Sequence, residues 1–258
     1  MKYQSLFVSD LHLGHPSSKA EQLIEILEQH EFNNIYLIGD VIDLWYLKRH
    51  SLKFYKFHTL LIEKIIHLSN AGVNVTYVIG NHDESLKSFL KDGQFNFGQI
   101  KLLRETEHLS LGRRFLITHG DKYDSLTYSK SGRFVMLFGD FLYDLVSFID
   151  RIQLSFRKLF KMKYWSFAGF CKKVVKGAIT FIQNYEKIIT HDAKELGYDG
   201  VICGHIHHPK KEIINGILYL NDGDFMESCS ALVETVNGDF DFIFNEPRYI
   251  TKKTKNYV

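Results

Sequence analysis

What this 258-residue chain lacks narrows its function before anything it contains. It has only three cysteines, Cys171, Cys203 and Cys229, far apart and with no CxxC pair. An odd, scattered set builds neither a disulfide framework nor a zinc knuckle, and it fits a reducing cytosol. A bilayer span needs about 18 uncharged apolar residues, and Asp140, Asp144 and Asp150 interrupt the most apolar region. The opening MKYQSLFVSD carries one Lys and a short apolar run that soon meets Asp10, so it reads as a first strand and not as a signal peptide. No charge sign dominates: 32 basic residues stand against 30 acidic ones, a net charge of +2, which excludes surface-wide nucleic-acid binding and makes any basic patch local. Internal repeats are missing, as are low-complexity stretches apart from a lysine-rich tail over 252–255.

What is present is an ordinary globular composition, 45% hydrophobic and 24% charged, in a chain long enough for a full core. Short apolar runs at 5–8, 35–38, 75–79, 115–117 and 200–203 are rich in β-branched and aromatic residues and end at Gly, Ser or Thr. They read as buried strands. Helical spacing lies between the first three, at Ala20, Leu23, Ile24 and Leu27 behind a Ser17/Ser18 cap, and at Leu60, Leu61, Lys64, Ile65 and Leu68 before Gly72. From 211 onward Asn215-Gly216 and Asn237-Gly238 suit type I′ turns, so the last part reads as antiparallel hairpins. The expected class is a layered α/β sandwich. Its core covers 1–124 and 193–250, a helical insertion or lid covers 125–192, and a basic tail follows at 251–258.

Polar motifs sit directly after five of these strands: SDLHLG with Asp10 and His12, GDVIDLW with Asp40 and Asp43, GNHDE with Asn81, His82 and Asp83, THGD with His119, and GHIHH with His205, His207 and His208. Ligands of α/β sheets gather at the carboxyl ends of strands, so residues distant in sequence converge there. Singly each motif is weak; Asp40 alone could cap a helix, and Asp83 is placed as the cap of the helix after it. Collected, two carboxylates, one amide and four histidines form a mixed O/N set suited to Mn²⁺, Fe²⁺ or Zn²⁺. Seven ligands exceed one tetrahedral ion and match two ions sharing a carboxylate.

The set DLH, GDxxD, GNHD, HGD and GHIH resembles the calcineurin-like metallophosphoesterase superfamily over roughly residues 5–225. The resemblance implies a four-layered α/β/β/α fold with a di-metal centre, Mn²⁺ favoured. It implies one ion on Asp10, His12, Asp40 and His207, and a second on Asp40, Asn81, His119 and His205, with His208 outside the set. It also implies that His82 faces the substrate, oriented by Asp43, where it can stabilise the phosphoryl oxygens and protonate the leaving oxygen. Leu44 and Trp45 follow GDxxD where the phosphoprotein phosphatases have Arg-Gly, which argues against a protein-phosphatase activity.

Residues 151–176 hold eight Lys or Arg and no acid, interleaved with Phe156, Phe160, Tyr164, Trp165, Phe167 and Phe170. Such a helix is basic on one side and apolar on the other, and suits acidic phospholipid or an acylated, phosphorylated substrate. HGDKYD, this insertion with YWSF and KKVVK, and DGVICGHIHHP together look like the UDP-2,3-diacylglucosamine diphosphatases of lipid A synthesis. That likeness implies release of UMP and a diacylglucosamine 1-phosphate at the cytoplasmic face of a bacterial inner membrane. The best-known branch has Arg in place of His82. Tyr123, Trp165, Lys172, Lys173 and Lys176 are the candidate substrate contacts. Two alternatives stand beside this expectation: a phosphodiesterase or phosphatase of soluble nucleotides or nucleic acid, with nucleic acid the less favoured partner, and a non-catalytic membrane-binding protein.

Overall fold

Burial along the opening segment already fixes a central strand. In β1 (Lys2–Val8), Leu6 and Val8 point to one side and Phe7 to the other, and all three are fully buried. Such a strand needs a layer on each face. The computed structural model describes residues 1–50, 54–124 and 167–245. Among them β1, β2 (Glu31–Ile38), β3 (Asn74–Val78), β4 (Gln94–Phe97), β5 (Ile100–Leu103), β11 (Ser230–Glu234) and β12 (Phe240–Phe244) form one mixed sheet in the order β12-β11-β1-β2-β3-β5-β4. A second mixed sheet, β6-β7-β8-β10-β9, comprises β6 (Glu105–Ser110), β7 (Arg113–Thr118), β8 (Gly200–Cys203), β9 (Lys210–Ile214) and β10 (Ile217–Asn221).

Helices α1 (Ala20–Gln29) and α3 (Lys56–Asn70) turn Leu23, Ile26, Leu27, Leu61 and Ile65 onto Leu6, Val8, Ile35, Leu37 and Val75 of the first sheet. The other face of that sheet meets the second sheet through Phe7, Ile38, Val78, Phe115, Ile117, Ile202 and Leu220. The α/β class with helices and two sheets is therefore the observed one. Between β2 and α3 lies α2 (Leu44–Arg49), capped by Asp43, whose carboxylate accepts from the Tyr46 N–H at 2.8 Å. The chain divides into two compact units, Met1–Asp121 with Thr190–Val258, and Lys122–Ile189. Most of the long helix α4 (Phe167–Glu195) lies in the second, where Tyr123 stands edge-on to Tyr185.

Local expectations differ from the structure at several points. Helix α1 begins after Lys19 with no side-chain cap, because Ser18 donates instead to the Leu11 carbonyl at 2.5 Å and ties down the loop after β1. Asn215 and Gly216 both have positive φ, as a type I′ turn requires, whereas in the second hairpin only Gly238 does. There Gly238 N–H donates to Thr235 at 3.0 Å, making a type I turn closed by a left-handed glycine. Strand β10 pairs antiparallel with β9 but also parallel with β8, so its carboxyl end joins those of β7 and β8.

Candidate metal centre

The loops that follow the parallel strands are bonded to one another. Asp10 and His12 N–H donate to the carbonyls of Gly39 and Asp40, and Gly204 N–H donates to the His119 carbonyl. His82 N–H reaches Asp40 Oδ1 at 2.7 Å, and His205 N–H reaches Asp10 Oδ2 at 2.8 Å. Five motifs scattered over two hundred residues of sequence thus form one bonded cluster. Among the described residues nine non-glycine positions have positive φ, and five of them are Asp10, His12, Asp40, His205 and His207. Left-handed backbone of this kind persists only where the surroundings impose it, and it concentrates at functional sites. The glycines of GNHD and GHIH answer a different need: a Cβ on Gly80 would lie 2.3 Å from Asp40 Oδ1, and one on Gly204 2.7 Å from Asp10 Oδ2. Only glycine lets the backbone come so near the carboxylates.

Asp40 Oδ2 occupies the middle. It lies 3.3 Å from His119 Nε2 and 4.0 Å from both His12 Nε2 and His82 Nε2. Asp10 Oδ1 lies 3.1 Å from His207 Nε2 and 3.7 Å from His12 Nε2. Potential ligand atoms therefore converge in two groups, Asp10 with His12 and His207, and Asp40 with His119 and His205. These groups hold six of the seven residues singled out in the sequence. The seventh, Asn81, contributes a buried Oδ1 with no hydrogen-bond donor, and buried His119 Nε2 also lacks a hydrogen bond. His119 Nδ1 donates to the Ile38 carbonyl at 2.8 Å, which turns Nε2 toward Asp40, where it holds a proton or, once deprotonated, can ligate a cation. Orphaned acceptors beside clustered carboxylates fit a divalent cation, which would satisfy all of them.

A third convergence, His12 with Asp43 and His82, is a hydrogen-bonded relay. Asp43 Oδ2 accepts from His12 Nδ1 at 3.2 Å, and Oδ1 accepts from His82 Nδ1 at 3.0 Å and from Tyr46 N–H. Those bonds use the lone pairs a metal would need. They also turn the Nε2 edge of both rings toward Asp40. His82 is 27% exposed, and the Trp45 ring, 44% exposed, lies 4.4 Å from it, so this imidazole forms a rim above the buried carboxylates. Asp83 does not cap the helix after it. Its carboxylate accepts from Gly80 N–H, Val41 N–H and Tyr77 hydroxyl, stitching the loops after β2 and β3 together. His208 is exposed.

The electrostatics describe a place waiting for positive charge. Burial opposes charge on His12, yet hydrogen bonds to Asp10 and Asp43 and the field of Asp40 push its pKa up to about 10. His119 is raised well above its ordinary value against its own burial by Asp40, and His207 is raised by Asp10. Burial would lift Asp10, but His207 and His12 hold it well below the usual carboxylate range. Asp83, by contrast, is pushed up to about 6 by burial and by Asp40. Carboxylates that hold protons on three neighbouring imidazoles would hold cations in the same place.

One part of the centre escaped the sequence motifs. Ser9 Oγ is 2.6 Å from Asp10 Oδ2 and 2.6 Å from Asp222 Oδ1. A hydroxyl has one proton, so it cannot donate to two carboxylates at once. Asp10 is the ionised partner, because imidazoles surround it. Asp222 is the neutral acid: burial and the nearby Asp10 charge raise its pKa well above the usual range. Asp222 therefore donates to Ser9, which donates to Asp10. The signal was present as LYLNDGD, a sixth strand with polar residues at its end.

Of the proposed substrate contacts, Tyr123 has a described side chain. Tyr123 is buried, with the Lys122 ammonium 4.8 Å from its ring centre. Trp165 lies outside the described residues, and Lys172, Lys173 and Lys176 lie on α4 with their side chains outside the description.

A family model described as calcineurin-like phosphoesterase matches residues 4–209. Among curated proteins, the UDP-2,3-diacylglucosamine hydrolase of Porphyromonas gingivalis is 32% identical over 130 residues, 47% of this chain and 47% of that protein. The protein of the same name from Proteus mirabilis is 30% identical over 122 residues, 45% of this chain and 48% of the other. The chain thus spans about half the length of the curated relatives it matches. Similar solved structures include a novel archaeal phosphodiesterase, with a TM-score of 0.44 at 15% identity over 93% of this chain and 98% of that one. Yfce, a phosphoesterase from E. coli, has a TM-score of 0.42 at 14% identity over 94% and 99%.

Proposed function

The chain belongs to the calcineurin-like phosphoesterase family, and on that premise we propose that it is a metal-dependent hydrolase of UDP-2,3-diacylglucosamine, yielding UMP and 2,3-diacylglucosamine 1-phosphate. Two Asp/His groups side by side, with one histidine of each facing the same carboxylate oxygen of Asp40, carry the hydrolase reading. The substrate is taken from the partial likeness to the two curated hydrolases. Two divalent cations, Mn²⁺ favoured, held by Asp10, His12, Asp40 and His207 and by Asp40, Asn81, His119 and His205, would supply activation of water and charge neutralisation at the phosphoryl oxygens.

The remaining work falls to this chain's own side chains. Water oxygen attacks the phosphorus of the UMP moiety, the anhydride P–O bond breaks, and the acyl-sugar phosphate departs. With Nδ1–H held by Asp43 Oδ1, His82 presents Nε2 to the reacting group. From there it can donate to a phosphoryl oxygen or deliver a proton to the leaving oxygen. Trp45 shields one face of that ring from water. Arg at this position would offer a permanently charged fork, whereas imidazole can also transfer its proton.

The chain works at an anionic lipid surface, where such a substrate resides. The basic, aromatic composition of 151–176 supports this, and no described helix is long and apolar enough to cross a membrane. The deciding assay follows UMP release from UDP-2,3-diacylglucosamine by protein loaded with Mn²⁺. Cleavage should require the metal and disappear in Asp40→Asn, with the variant still folded. Hydrolysis of soluble diesters or nucleotides, with the acyl sugar left intact, would replace this reading with the soluble-substrate one.

A further inference from the structure

The helix that carries Trp45 over the catalytic rim opens a second basic and aromatic stretch. From Leu44 to Ile62 the sequence contains four Lys or Arg and no Asp or Glu. Helix α2 ends this stretch's first half with exposed Lys48 and Arg49, and α3 begins the second with exposed Lys56. Phe54, Tyr55 and Phe57 are each 38–39% exposed at the start of α3. Three neighbouring aromatics, each more than a third exposed, are clustered apolar surface of the kind that marks interaction sites.

The two helix ends are held together by the loop after β1. His58 accepts from Gly14 N–H at 2.9 Å, and its ring lies edge-on to Tyr55 at 5.1 Å. From the neighbouring position, His15 stands edge-on to Tyr46, which stacks on His50. The cations of α2 and the aromatics of α3 are thus anchored to one short loop. Lys48 donates to Ser85 Oγ at 2.8 Å, a neutral partner that leaves its charge uncompensated. Among the described residues, neither Arg49 nor Lys56 takes part in an ion pair.

We propose that Lys48, Arg49, Lys56, Phe54, Tyr55 and Phe57 form a docking surface for an anionic phospholipid bilayer, separate from 151–176. The inference rests on the reading that the chain works at a lipid surface, and it names which face meets that surface. Amphipathic aromatic rings settle at the level of lipid headgroups, while uncompensated cations are drawn to the negative surface potential. Since Trp45 on the same short helix α2 covers His82, docking here sets the catalytic rim next to the headgroups. A substrate with its acyl chains in the bilayer then reaches the centre without leaving the membrane.

The test is sedimentation of the full chain with phosphatidylcholine vesicles, with and without about a third phosphatidylglycerol. The wild-type protein should bind only the anionic vesicles, and salt should weaken it. Replacing Lys48, Arg49 and Lys56 by Gln should weaken binding roughly fivefold per residue, and Phe54→Ser with Tyr55→Ser and Phe57→Ser should weaken it independently. Hydrolysis of a soluble chromogenic diester should stay unchanged in both sets, which certifies that they are folded. If wild type binds and both sets bind equally well, this surface is wrong while the lipid reading survives through 151–176. Wild-type protein that binds no vesicle sinks both, and loss confined to a single-stranded oligonucleotide assigns the patch to nucleic acid instead.

Discussion

At the scale of single residues the centre separates side chains that would hold metal from those that would act on substrate or position others. The His82 ring makes no hydrogen bond to a predicted ligand: its Nε2 lies 4.0 Å from Asp40 Oδ2, it stands edge-on to His12 at 4.6 Å, and its anchor is Asp43. His82→Ala should therefore lower kcat about 10²–10⁴-fold while bound metal, counted by elemental analysis, stays the same. Asp222 acts only through Ser9. Asp222→Asn keeps an N–H donor for Ser9 and should retain metal affinity, whereas Asp222→Ala removes the donor and should weaken metal binding about 10–100-fold. Equal metal titrations for the two variants would refute the proton assignment. The contrast also explains what could be read in advance. Asp10, Asp40, Asn81 and the histidines become legible together, because five motifs of ligand-type residues each follow an apolar run in order. Ser9 was legible only as the end of a strand, and its importance comes from a carboxyl contributed 213 positions later.

At the scale of elements, the strands legible in the sequence were those marked by a short apolar run or by an Asn-Gly turn. β1, β2, β7 and β8 each end in or contain a short buried apolar run, and those expected spans fall inside the observed strands. β4 and β6 carry alternating or mostly polar residues with little burial on one side, so no apolar run marks them. Yet β6 supplies His108, the main polar tie between the two sheets. Its Nε2 meets Glu234 of β11 at 2.9 Å, its Nδ1 meets the Tyr36 hydroxyl of β2 at 3.1 Å, and Ser5 of β1 donates to the same carboxylate. Against the cost of burial, the bonds from His108 and Ser5 hold Glu234 below its ordinary value of 4.5. A depressed carboxylate contributes stability that is present above that value and lost as pH falls through the folded one. His108→Ala leaves the buried carboxylate with Ser5 as its side-chain donor, and should cost about 1–3 kcal/mol in denaturant unfolding. His108→Leu combined with Glu234→Leu should recover most of that loss. Metal binding should be unaffected throughout, since neither residue contacts the centre.

At the scale of the molecule, the centre couples folding to pH and to metal in opposite senses. With metal removed by a chelator, His12, His119 and His207 all have pKa values raised in the folded protein, His12 to about 10. The folded state then binds more protons than the unfolded chain over that interval. A raised imidazole contributes stability that is complete below its unfolded value near 6.5 and is lost as pH rises through the folded one. Asp83, raised to about 6, adds to the same trend at lower pH, being stabilising below the ordinary carboxylate value and losing that contribution through 6. Metal-free protein should consequently become less stable from about pH 6.5 to 10, with His12 alone accounting for roughly 5 kcal/mol at most. Metal reverses this, because a cation must displace those protons and so binds more tightly as pH rises. The increase in Tm produced by Mn²⁺ should therefore grow over the same interval in which the chelated protein weakens. Calorimetry at three pH values, with Mn²⁺ and with chelator, reads both slopes. Parallel slopes would mean that the imidazoles are not the groups the metal replaces, and the seven-residue centre would have to be redrawn.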